Sequence, residues 1–288
     1  MTFEVLFVLA MTSLGAATVN GALGYGYSSI SVPIGLLVTT SRILNPALVV
    51  IEVIVNLYAL VINWRSVPRV IKRVLPLSYG LIPGVIAGAF LLDYIATANA
   101  KLTAFALLLP LILFQASGKR WPIRNEQRAA LPLGAGVGLL YGLTTISGPP
   151  LALFWNNQGL EKNDFKTALA VVRSIESLCA LAAYSYLGLL TYESASILPW
   201  IAPGVLIGFP VGHWLVRRVG VETFRRVCMS FDAYLVAFGL ARTLIGFGVA
   251  PVFAYQLLLI TAIIDGRLLF VYFRAAAEKT VDRAPALV

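Results

Sequence analysis

Four charged residues stand inside stretches that are otherwise apolar: Glu52, Arg173, Glu176 and Asp232. A charge at such a place is costly, and it usually faces a cavity or a partner. The planar fork of Arg173 suits an oxyanion. Glu52, Glu176 and Asp232 are the groups able to take up a proton and couple it to movement of that anion. Two bland arrangements compete with this reading. Glu52 and Arg173 could form a structural ion pair, and Arg173 and Glu176, one turn apart, could neutralise each other.

Two runs of small residues add a second kind of chemistry. Gly24-Tyr25-Gly26-Tyr27-Ser28-Ser29 and Thr144-Thr145-Ile146-Ser147-Gly148-Pro149 both interrupt long apolar segments. Non-helical backbone at membrane depth is tolerated only where it is buried in protein or lines a wet cavity. A helix that restarts after a break presents unpaired N–H groups and the positive end of its dipole. Glycine lets a ligand approach the backbone, hydroxyls add donors, and Pro149 and Pro150 fit the first turn of a restarted helix. Each run is a candidate anion cradle, with Gly24, Gly26, Ser28, Ser29, Thr144, Thr145, Ser147, Gly148 and Arg173 as the binding residues. Small residues also let membrane helices pack closely, so one run alone would not separate packing from binding. The matching run in the other half favours a site.

The elements that must position these residues follow from composition. The chain has 288 residues, 59% hydrophobic and 12% charged, about half the charge of a soluble domain. Apolar runs recur at 3–19, 46–63, 76–92, 102–117, 129–155, 167–190, 197–216, 227–241 and 251–264. Several approach the ~20 residues that cross a bilayer core, and none alternates as a membrane β-barrel strand would. The fold class expected is an all-α polytopic membrane protein. The net charge of +9 gathers in Arg65/Arg69/Lys72/Arg73, Lys119/Arg120/Arg124/Arg128 and Arg217/Arg218/Arg225/Arg226. Such clusters mark cytoplasmic loops, and nucleic acid is discounted. The first 17 residues resemble a signal peptide but lack a positive start and carry Glu4, so they read as part of the fold.

The halves repeat. "IPGVIAG" (82–88) matches "APGVLIG" (202–208) at an offset of 120. At an offset of 121, 24–32 falls on 145–153 and 45–56 on 166–177, so Glu52 corresponds to Arg173 and Asn56 to Ser177. The basic bias of the loops reverses between the halves, which predicts an inverted repeat. The units are 1–125, 126–248 and a C-terminal helix with cytoplasmic tail, 249–288. Each repeat holds a broken segment and three transmembrane helices. With all basic clusters inside, 129–157 must cross zero or two times, and 3–39 likewise. The N-terminus then lies outside.

Single residues carry less. His213, the sole histidine, could relay protons but reads as an interfacial packing residue. Cys179 and Cys228 lack metal or redox spacing and read as inert thiols. Trp64, Trp121, Trp155, Trp200 and Trp214 read as interfacial anchors, with Trp155 set apart because it follows the second break.

"GALGYGYSSISVP" (21–33) and "GLTTISGPPLALFW" (142–155), backed by "PGVIAG" and "PGVLIG", resemble the sulfite exporter TauE/SafE family over essentially 1–250. The resemblance implies a multi-pass permease of the bacterial inner membrane that moves sulfite, organosulfonates or other small sulfur anions. The breaks hold fewer glycines than the family pattern favours. Tyr25, Tyr27 and the added hydroxyls would suit a larger organosulfonate or a carboxylate. The function expected is a secondary transporter binding its anion at the midplane. A passive anion channel and a carboxylate permease are the alternatives. No nucleophile–base arrangement or metal-spaced cluster points to an enzyme, and no cofactor or metal is expected. The partners expected are the anion, the lipid bilayer and, as an option, a second copy in a homodimer.

Overall fold

The computed structural model describes residues 2–95, 97–117, 123–219 and 221–281. Trp121, Lys119 and Arg120 lie outside these. The described chain is helical: α1 (Phe3–Leu23), α2 (Tyr27–Val38), α3 (Ser41–Ile62), α4 (Val67–Tyr94), α5 (Thr97–Ala116), α6 (Glu126–Thr144), α7 (Gly148–Asn157), α8 (Lys162–Tyr186), α9 (Tyr192–Val219), α10 (Val221–Gly246) and α11 (Pro251–Val281). A single 3-10 turn at Trp64–Ser66 precedes α4. Among the described residues, eight helices, α1, α3, α4, α5, α8, α9, α10 and α11, are long and apolar enough to cross a membrane.

Two helix pairs form the frame, α4 on α6 and α1 on α9. Both are close crossings made by small residues. On α4, Gly80, Gly84 and Gly88 lie against the backbone of α6, and Gly134, Gly138 and Gly142 return the contact from α6. A Cβ built on Gly138 would stand 2.9 Å from Val85 N, closer than such atoms approach. On α9, Gly204, Gly208 and Gly212 lie against α1 from Ala10 to Ala22. In each pair, the Pro-Gly helix of one half packs on the broken segment of the other.

Side-chain ties show which ends lie together. Arg73 makes a two-pronged contact with Glu126, at 3.0 and 2.5 Å, joining the starts of α4 and α6. Arg69 stands 3.8 Å from Asp164, joining the starts of α4 and α8. Arg226 donates to Ala116 O at 2.8 Å, bringing the start of α10 to the end of α5. The basic segments thus gather at one end of the bundle. The stretch from Glu126 to Asp164 leaves that end and comes back to it. Phe3 packs edge-on against Trp200, and Arg42 donates to the backbone carbonyl of Asp93. The stretch from Phe3 to Arg42 therefore begins and finishes at the other end.

The core lies where α3 and α8 meet between these pairs. Helix α11 sits at the periphery, largely exposed, with Asp265 accepting from Ser230 of α10 at 2.9 Å. Trp64, Trp200 and Trp214 are exposed, as anchors require, whereas Trp155 is fully buried. Trp155, set apart by its place after the second break, is the exception to the anchor reading, because α7 turns inward between α5 and α8 and takes the ring with it.

Candidate functional site at two helix breaks

Helix α1 stops at Leu23 because Gly24 turns left-handed (φ 84°, ψ 6°), its N–H bonding back to Asn20 O at 2.7 Å. Gly26 is left-handed too, at φ 105°. Helix α6 stops in the same manner at Thr145 (φ 59°, ψ 15°), whose N–H reaches Tyr141 O at 2.6 Å. Thr145 is the one non-glycine residue with positive φ among those described. Neither restarted helix has a side-chain cap hydrogen bond, at Gly26 or at Ser147. The breaks abut: a Cβ on Gly148 would lie 3.4 Å from Tyr25 Cβ and 3.5 Å from Gly26 N.

Beside them runs a buried polar network. Arg173 Nη2 meets Glu52 Oε1 at 2.8 Å, with both side chains almost wholly out of solvent. Tyr141 Oη donates to the other Glu52 oxygen at 2.6 Å. Arg173 Nη1 points to Asn20 Oδ1 at 3.4 Å, and Asn56 Nδ2 donates to the Arg173 carbonyl at 3.2 Å. Ser147 Oγ donates to Glu176 Oε2 at 2.5 Å. Three polar groups here lack a protein partner although fully buried: Arg173 Nε, Glu176 Oε1 and Ser29 Oγ. Buried polar atoms almost always find a partner, so such orphans call for a ligand or water.

Of the two pairings open in the sequence, Arg173 takes Glu52 and not Glu176. The reason is the packing of α3 on α8, which sets the two counterparts face to face. Ser28 is buried in the first turn of α2. Thr144 and Thr145 donate their hydroxyl hydrogens to Leu140 O and Thr144 O, both at 2.6 Å. Asp232, on α10, is buried with Oδ1 unpartnered, within electrostatic reach of Tyr25 and Cys228. Tyr25 accepts from Gln115 at 2.9 Å, and Tyr27 shares a hydrogen bond with Ser13 at 3.0 Å. Cys179 and Cys228 are free thiols. His213 is exposed, 2.9 Å from Arg217.

Asn20 and Tyr141 complete the network without having been singled out by the sequence. They are counterparts at the offset of 121. A lone asparagine in an apolar run was a usable signal for Asn20. Tyr141 carried none, since tyrosine is ordinary in such runs.

A cavity of about 230 Å³ leads from the basic end of the bundle to Asn20 and Asn56. It touches Gly24 at the first break and is walled by α1, α3, α8 and α9.

Comparison with known proteins places this geometry in context. The family model described as "Sulfite exporter TauE/SafE" matches residues 9–240. The protein of Cupriavidus necator named "Probable sulfite/organosulfonate exporter TauE" is 26% identical over 174 residues. That region is 59% of this chain and 65% of the relative, so the chain matches under two thirds of the relative's length. No solved structure matches the chain at a significant level.

Proposed function

The chain belongs to the sulfite exporter TauE/SafE family, and from that premise we propose that it is a secondary permease for a small sulfur oxyanion, sulfite or an organosulfonate. The observation that carries this reading is the buried Glu52–Arg173 pair, set beside two abutting helix breaks and keeping an unpartnered Arg173 Nε. Two half-helices that meet near mid-membrane are where inverted-repeat transporters hold anionic groups. The hairpin-like paths of 3–42 and 126–164, entered from opposite ends, support the inverted reading. So does the exchange of packing partners between the halves. The gathering of basic segments supports placing that end, with the C-terminal tail, in the cytoplasm.

Glu52 and Arg173 then divide the work. With Glu52 ionised, its carboxylate occupies the guanidinium. A proton delivered to Glu52 ends the ion pair and frees the fork for an oxyanion, which Ser29, Ser147, the Gly148 N–H and the first-turn N–H groups of α2 surround. Loss of the proton re-forms the pair and expels the anion. Glu176, held by Ser147, is the second coupling carboxyl, and Asp232 is a third site for a proton near Tyr25.

The test is flux in liposomes containing the purified protein, with sulfite, methanesulfonate, sulfoacetate, taurine and acetate offered in turn under a pH gradient. We expect a sulfur anion to move with a proton, and Arg173→Ala to abolish it. Glu52→Gln should uncouple anion flux from the gradient. Anion flux that is insensitive to Glu52→Gln would favour a passive channel. Absence of flux for every anion would overturn the reading.

A further inference from the structure

The cavity at the basic end has a composition of its own. Asn63, Asn163, Lys166 and His213 form its outer part, and Asn20 and Asn56 its buried floor. Among the described residues, no carboxylate lines it. Both NH2 hydrogens of Asn56 go to Arg173 O and Ser177 Oγ, and one of Asn63 to Ala59 O. The Lys166 ammonium and the amide NH2 of Asn20, which meets Arg173 through its oxygen, are donors to oxygen, so the lining suits an oxyanion and disfavours a cation. At about 230 Å³ it is smaller than the ~300–1,000 Å³ of pockets for drug-sized ligands. A molecule of a few heavy atoms with its water fits. The floor is one side chain from the guanidinium, because Asn20 faces Arg173 Nη1 and Asn56 holds the Arg173 carbonyl. Gly24 borders the cavity beside Lys166.

Through the repeat offsets, Asn163, Lys166 and His213 correspond to Arg42, Asn45 and Asp93. That second set is closed. Arg42 and Asp93 meet at the opposite end, 3.9 Å apart, and Asn45 is buried with its amide on Leu143 O at 3.0 Å. One of two equivalent approaches is open and the other shut.

We propose that the open cavity is a loading site for a small oxyanion, in which Lys166 and the amides of Asn63 and Asn163 capture the anion and Asn20 passes it to Arg173. The proposal rests on the transport reading above for its purpose, but its binding step can be measured alone. In a protein carrying Cys179→Ser and Cys228→Ser, Asn163→Cys is labelled with a membrane-impermeant maleimide, with and without methanesulfonate. Methanesulfonate should slow labelling, acetate should do so less, and Lys166→Met should weaken the protection about fivefold to tenfold while Lys166→Arg retains it. In liposomes of known orientation, Lys166→Met should raise KM from the basic end only, with the maximal rate unchanged. Protection that is indifferent to Lys166→Met overturns the loading site, as does a KM change equal from both ends. Protection without flux in the unmodified protein would keep the loading site and overturn the permease.

Discussion

Gly24 and Thr145 end the first helix of each broken pair with the same left-handed turn, at φ 84°, ψ 6° and φ 59°, ψ 15°. Glycine adopts this conformation freely, whereas for other L-residues it costs about 1–2 kcal/mol, and a β-branched residue is an outlier there. Two local hydrogen bonds offset the strain, Thr145 Oγ1 to Thr144 O at 2.6 Å and Ile146 N to Thr144 Oγ1 at 3.1 Å. Thr145→Gly should leave thermal stability in detergent unchanged or raised. Thr145→Val keeps the strain and loses the hydroxyl, and should cost about 1–2 kcal/mol. Equal melting temperatures for Val and Gly would refute the strain.

The Glu52–Arg173 pair is buried on both sides. Removing one partner of such a pair strands the other charge and costs about 3–5 kcal/mol, whereas removing both is often near neutral. Denaturation of Arg173→Met should therefore show a large loss, and Glu52→Gln/Arg173→Met should recover much of it. A double variant no better than the worse single one would sink the idea that the loss comes from stranding a buried charge.

Tyr141 and Tyr184 are both fully buried but serve different acceptors. Tyr141 donates to the Glu52 carboxylate at 2.6 Å, and Tyr184 to Gly142 O at 2.6 Å. Hydrogen bonds to charged groups contribute about 1.5–3 kcal/mol and neutral ones about 0.5–1.5. Tyr141→Phe should destabilise more than Tyr184→Phe, and only Tyr141→Phe should alter anion flux. The reverse order of stability would count against the network as drawn.

Gly136 and Gly138 separate close approach from mere composition. A Cβ on Gly138 would collide with the backbone of α4, whereas one on Gly136 meets nothing within 4 Å. Gly138→Ala should lower the melting temperature. Gly136→Ala should raise it, since alanine gains about 0.8–1 kcal/mol over glycine in a helix. Equal effects would mean that α4 and α6 do not cross as closely as described.

Arg42 and Asp93 are partly exposed, and such pairs contribute about 0–1 kcal/mol. A bias of that size shifts two nearly balanced states by up to about fivefold. In a background of Cys179→Ser and Cys228→Ser, Arg42→Gln should increase labelling of Asn45→Cys from the end opposite the basic clusters by that order. No increase would show that another contact keeps this approach shut.

The sequence by itself determined the class of the molecule and the sites of local backbone change. With 59% hydrophobic residues in runs of helix-spanning length, the chain must satisfy its backbone internally, and helices do so within each segment. Glycine at 24 and 26 and proline at 149 act on their own dihedrals, so their effect is readable without knowing the neighbours. The repeat also named Glu52 and Arg173 as counterparts before any contact was known. Tertiary structure decided the rest. Arg173 had a carboxylate three residues along its own helix and another 121 positions away, and took the distant one. Tyr141 and Asn20 joined the pair, and Trp155 went inside. Each of these depends on how far one helix is rotated about its axis against another. That rotation comes from the summed packing of whole helix faces and is not carried by any single residue or its spacing.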